Sequence, residues 1–153
     1  EIFISTIRQS QIVQTFRETG AVQTIVNSNP WNEEETYMLL KIAMAEAEGE
    51  DTEGKALVML TVINRVNSDA FPNSIQEVIT QAKQFTAYEN GRYGRVEPSE
   101  DCYSALELIT KEQWDGSQGA TYFERTTEDE TWHSKNLKTL FTHQNHTFYK
   151  ENE

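Results

Sequence analysis

The chain of 153 residues has a single cysteine, Cys102, so no disulfide can close within this sequence. The pattern around Cys102 reads as a small buried side chain on a helix. Basic residues are scarce: 13 Lys and Arg stand against 25 Asp and Glu, a net charge of −12. Phosphate binding needs a basic face, so this balance excludes nucleic acid as a partner. It disfavours an anionic bilayer surface for the same reason. There is no run of about 20 apolar residues, so nothing in the sequence spans a membrane. No glycine-rich phosphate loop and no nucleophile triad stand out. The three histidines, His133, His143 and His146, come late, and the last two lack the helical spacing of zinc hydrolases. Neither a metal nor a cofactor is expected. No signal peptide is visible, and the first residue is Glu1 rather than Met, which leads us to expect an exported protein whose leader is absent from this sequence.

The length suits one domain with an appended arm. Residues 1–31, rich in Gln, Thr, Ser and Asn and closing on Asn27-Ser28-Asn29-Pro30, read as a linker or arm. Residues 32–150 read as the domain. Asn32 is the expected N-cap of a helix whose first turn holds Glu33, Glu34 and Glu35. Tyr37, Leu40, Met44 and Ala47 recur at helical spacing, and Gly49 is a natural stop. A second, largely buried helix is expected from Glu53 or Gly54 to Val66. A short helix should follow Ser74, which forms a capping box with Glu77, and another should follow Pro98-Ser99. The long connection from Gln81 to Val96 is of a kind that often carries function. Ala120–Glu124 and Leu137–Tyr149 read as strands, pairing around a loop that holds Trp132 and His133. The fold class is therefore α+β, mostly helical, with a small antiparallel β hairpin.

The run Ala45-Glu46-Ala47-Glu48-Gly49-Glu50 is the most informative. Three acids at a helix C-terminus oppose the dipole and bring no structural gain. Glu46 sits beside the apolar stripe, where desolvation of its charged form would raise its pKa and suit it to general acid chemistry. Glu50, four residues on, shares its face if the helix continues. Aromatic residues gather after Asn73. Their apolar faces suit the C–H faces of sugars, and Trp132, in a polar loop, is the expected exposed one.

These pieces resemble the bacterial cell wall hydrolases of the SleB/CwlJ type, which include spore cortex-lytic enzymes. The resemblance runs through Glu46-Ala47-Glu48-Gly49-Glu50, Gly54, Val62-Ile63-Asn64-Arg65-Val66, Phe71-Pro72-Asn73-Ser74-Ile75 and Gln84-Phe85-Thr86. It closes with Tyr122-Phe123, Trp132 and Asn145-His146-Thr147-Phe148-Tyr149. No single piece is specific; order and spacing together carry the likeness, over about residues 35–150. It implies a lysozyme-like, lytic transglycosylase-like domain with Glu46 as the catalytic acid. It implies cleavage of peptidoglycan between N-acetylmuramic acid and N-acetylglucosamine, with a 1,6-anhydro product. Glu50, Phe85, Thr86, Tyr122, Trp132 and His146 are the implied substrate-binding residues. Thr86 would bond sugar hydroxyls, Tyr122 and Trp132 would stack on sugars, Phe85 would form wall, and His146 would fasten the terminal strand. The implied partner is the glycan strand, and the implied place of action is outside the cytoplasm, in wall or spore. A monomer is expected.

Two other readings remain: a lysozyme-type hydrolase of the same bond, and a wall-binding module without catalysis. The chain also departs from the family pattern. Glu48 stands where a basic residue is common, and the acidic composition is unusual for a protein acting on an anionic wall.

Overall fold

A computed structural model describes residues 31–81, 85 and 90–152. The arm expected over residues 1–31 thus lies outside the described residues except for Trp31, and so does Thr86.

Helix α1 (Glu33–Ala47) starts on a full capping box. The Asn32 side chain accepts the Glu35 N–H at 2.7 Å, and the Glu35 carboxylate accepts the Asn32 N–H. Helix α2 (Thr52–Val66) starts on Asp51, whose carboxylate accepts the Gly54 N–H at 2.7 Å. The short α3 (Ile75–Thr80) starts on Ser74, as the sequence indicates. Only half of the expected box forms there. Ser74 Oγ accepts the Glu77 N–H, but the Glu77 carboxylate accepts the Ser74 hydroxyl. A single turn, α4 (Arg92–Arg95), precedes α5 (Glu100–Thr110).

Helix α2 is the axis of the molecule. From Gly54 to Val62 every residue is buried. One side packs against α1, α3 and α5, through Ala56, Met59 and Val62 against Leu39, Ile42, Ala43, Val78, Ile79 and Leu106. Cys102, on α5, is fully buried in this core. The opposite side presents Leu57 to Ala120 and Phe148. Each of the buried Val, Leu, Ile, Met and Phe side chains among these contributes on the order of 1.5–3 kcal/mol to folding.

Strand β1 (Tyr122–Arg125), a helical turn α6 (Trp132–Asn136), and strands β2 (Leu137–His143) and β3 (His146–Glu151) complete the chain. The sheet order is β1-β3-β2, antiparallel throughout. The hairpin expected from the sequence is present, but Leu137–Tyr149, read as one strand, folds on itself. Gln144 and Asn145 form its two-residue turn, with Gln144 at φ +50°. The partner of β1 is β3, with Phe123 opposite Phe148 and Arg125 opposite His146. The Trp132 loop is an α-turn capped by Thr131 and Ser134.

Candidate active-site cleft

Helix α1 stops at Ala47, and its closing carbonyls are met by cations. Lys55 Nζ reaches Glu48 O at 3.1 Å and Glu50 O at 2.5 Å, and Arg92 Nε reaches Ala45 O at 2.8 Å. Arg92 also pairs with the exposed Glu48. These contacts offset the unfavourable end-dipole that three acids would meet. They also correct one expectation. Because the helix ends before Glu50, Glu46 and Glu50 do not share a helical face. Glu46 lies in the last turn, half-buried between buried Ala45 and Ala47. Glu50 lies in the turn beyond, only 6% exposed.

Glu46 opens on a cleft of about 620 Å³. Arg65 from α2, Phe85, the β1 residues Tyr122, Phe123, Glu124 and Arg125, then Trp132 and His133 of α6, and His146 of β3 complete the lining. Five of the seven sequence-derived site residues therefore meet here: Glu46, Phe85, Tyr122, Trp132 and His146. Trp132 is 60% exposed and stands 6.3 Å, centroid to centroid, from Tyr122. Phe85 is buried and 6.1 Å from Phe123, which makes it wall.

Glu50 does not line the cleft. Its Oε2 accepts from Asn145 Nδ2 at 2.9 Å, and its Oε1 lies 3.6 Å from His146 Nδ1. Beside it, the Asp51 N–H donates to the Gln144 side chain at 2.8 Å, and Asp51 Oδ1 bonds His143 Nε2 at 2.8 Å. The turn between α1 and α2 is thus a socket for the hairpin tip. It holds His146 in the cleft wall, with the imidazole edge-on to Phe123 at 5.2 Å. Burial lowers the pKa of His146 despite the opposing pull of Glu50.

Four cleft residues went without a role in the sequence reading. Arg65 was only a letter of the N-R-V motif. Its side chain is 3% exposed, its Nε donates to Thr121 O at 2.6 Å, and its guanidinium lies 4.5 Å from the Phe71 ring and 4.9 Å from that of Tyr122. Burial pulls its pKa down to about 10, which leaves it charged at neutral pH. Asn64, beside it, ties down the same approach to β1 through Ser117 Oγ and Ala120 O. Glu124 accepts from Tyr149 Oη at 2.5 Å and Thr131 Oγ1 at 2.8 Å. His133 faces Glu124 with Nδ1 3.4 Å from Oε1, and burial lowers its pKa. Arg125 is exposed at the cleft rim. Strand alternation from Tyr122 could have flagged Glu124 in the sequence; nothing flagged Arg65 or His133, because their neighbours come from distant segments.

Residues 49–149 match the model of the family described as cell wall hydrolase. The matched segment covers two-thirds of the chain, and the chain belongs to that family. The segment begins three residues after Glu46. The spore cortex-lytic enzyme of Oceanobacillus iheyensis is 26% identical over 129 residues, a match covering 82% of this chain and 46% of that protein. That of Bacillus subtilis is 31% identical over 109 residues, covering 69% and 35%. The matches thus span less than half the length of these relatives. The catalytic domain of the germination-specific lytic transglycosylase SleB from Bacillus anthracis superposes with a TM-score of 0.68 at 25% identity, over 80% of this chain and 98% of that one. The SleB catalytic domain of Bacillus cereus gives 0.69 at 24% identity, over 80% and 94%, a likeness of fold. The helical α+β fold expected from the sequence is the one observed.

Proposed function

We propose that this chain cleaves the glycan strands of peptidoglycan between N-acetylmuramic acid and N-acetylglucosamine, outside the cytoplasm, with Glu46 as the acid and then the base. The observation that carries this reading is the place of Glu46. A half-buried carboxyl group ends a helix at the wall of a cleft of about 620 Å³, rimmed by the exposed Trp132 and by Tyr122. That volume falls within the usual range for small-ligand sites, and aromatic rims suit sugar faces.

Glu46 donates its proton to the glycosidic oxygen as the bond from the muramoyl C1 breaks, and the electron pair leaves with that oxygen. Positive charge then sits on C1 and the ring oxygen. The muramoyl 6-hydroxyl attacks C1, its proton passes to the Glu46 carboxylate, and a 1,6-anhydro end forms. Water in place of the hydroxyl would give the lysozyme-type product. The likeness to SleB of Bacillus anthracis, a germination-specific lytic transglycosylase, favours the first course.

The test is digestion of purified sacculi with wild type and Glu46→Gln. Wild type should release muropeptides lighter by one water than their hydrated counterparts. The variant should lose activity by on the order of 100-fold or more while keeping its melting temperature. Full activity in Glu46→Gln removes the role assigned to this carboxyl group, and exclusively hydrated ends favour the hydrolase course. Binding to sacculi without release of product identifies a wall-binding module instead.

A further inference from the structure

The mechanism above leaves positive charge at C1 with no partner named, and the cleft holds a second carboxylate that could meet it. Glu124 lies on β1 next to Phe123 and Arg125, and its side chain is 17% exposed. Its two oxygens have different surroundings. Oε2 accepts the hydroxyls of Tyr149 and Thr131, at 2.5 Å and 2.8 Å. Oε1 faces His133 Nδ1 at 3.4 Å, beyond a strong hydrogen bond. Both hydroxyls donate to Oε2, which fixes the orientation of the side chain. Oε2 is thereby clamped to the fold, and Glu124 lines the same cleft as Glu46.

The two acids are held differently. Glu46 is half-buried in the last turn of α1, whereas Glu124 is fixed by hydroxyl donors. Glycan-cleaving sites with two carboxylates divide the work between a proton donor and a charged partner. We propose that Glu124 is a further catalytic residue: a fixed negative charge that faces the sugar and stabilises the oxocarbenium-like charge formed when Glu46 protonates the leaving oxygen. It makes no covalent bond and moves no proton. Tyr149 and Thr131 are its positioning residues. The inference rests on the glycan-cleaving reading given above.

Glu124→Gln tests it, because the amide oxygen still accepts from Tyr149 and Thr131 while the charge is gone. On soluble glycan chains, kcat should fall on the order of 100-fold, with KM within about threefold and the melting temperature unchanged. Thr131→Val and Tyr149→Phe remove the donors and keep the charge, and each should lose no more than about tenfold. Wild-type kcat in Glu124→Gln overturns the proposal. So do losses in Thr131→Val and Tyr149→Phe that equal the loss in Glu124→Gln, since Glu124 would then act only as a structural tie. In either case an inactive Glu46→Gln leaves the assigned reaction standing. A wild type that releases nothing from any glycan overturns both.

Discussion

At the scale of single residues, a tight constraint lies behind the cleft rather than in it. A Cβ placed on Gly54 would fall 2.7 Å from Glu50 Cβ and 3.2 Å from Asp51 Oδ1. The first turn of α2 therefore packs directly on the side chain that holds Asn145 and faces His146. Gly54→Ala should lower stability by about 1–3 kcal/mol, because the clash displaces a buried side chain rather than a flexible tip. Chemical denaturation would measure this; a variant as stable as wild type would mean that the turn yields without strain. Lys55 shows the same economy of placement. It is 3% exposed, yet it meets two carbonyls and lies 3.3 Å from Asp101 Oδ2, so its charge is partnered. Its apolar stem fills helix core, as the hydrophobic run of α2 suggests, while its ammonium group closes the end of α1.

At the scale of elements, the contact between the α1–α2 turn and the β2–β3 turn decides the geometry of the cleft. The bond from Asn145 to Glu50 Oε2 joins residues 95 apart, and it is one of several that seat the hairpin tip. Removing it leaves a buried carboxylate oxygen short of a donor, which costs about 1–3 kcal/mol. Asn145→Ala should destabilise by that amount in wild type and by clearly less in a Glu50→Gln background, where the oxygen is no longer charged. A double-mutant cycle reads the difference; strict additivity would show that the two side chains do not depend on each other. The legibility of the elements followed their locality. Caps at Asn32 and Ser74 and the apolar stripes of α1 and α2 are fixed by neighbours within four residues, and these could be read directly. The pairing of β1 with β3, and the fold-back of Leu137–Tyr149 at Gln144-Asn145, depend on which edge is open after the helices pack. No local pattern reports that.

At the scale of the whole molecule, charge and burial set the response to pH. His133 and His146 both have pKa values lowered from 6.5, in each case chiefly by burial. The folded protein therefore holds these rings neutral where the unfolded chain would protonate them. Their contribution is complete above about pH 6.5. It is lost progressively as pH falls below that value, because the unfolded state then binds more protons. Each ring can withdraw up to about 1.4 kcal/mol per pH unit until its folded-state pKa is reached. Melting temperature should accordingly fall between about pH 7 and pH 5; a rise over that interval would contradict the burial of the two rings.

The sequence by itself determined α1, α2, α3 and α5 and the helix-dominated class, because each is written in residues close together in the chain, while the family resemblance and the choice of Glu46 rest on the order of motifs over about residues 35–150. It also named the aromatic rim of Tyr122 and Trp132, though not their distance from one another. Only the tertiary structure decided that Glu50 turns away to hold the hairpin, that Arg65 fills a cage between Phe71 and Tyr122, and that Glu124 and His133 face each other in the cleft. These outcomes join segments separated by anything from six to 95 residues. Which side chains meet there is set by how the helices and sheet close on one another, a packing result that no single stretch of chain encodes.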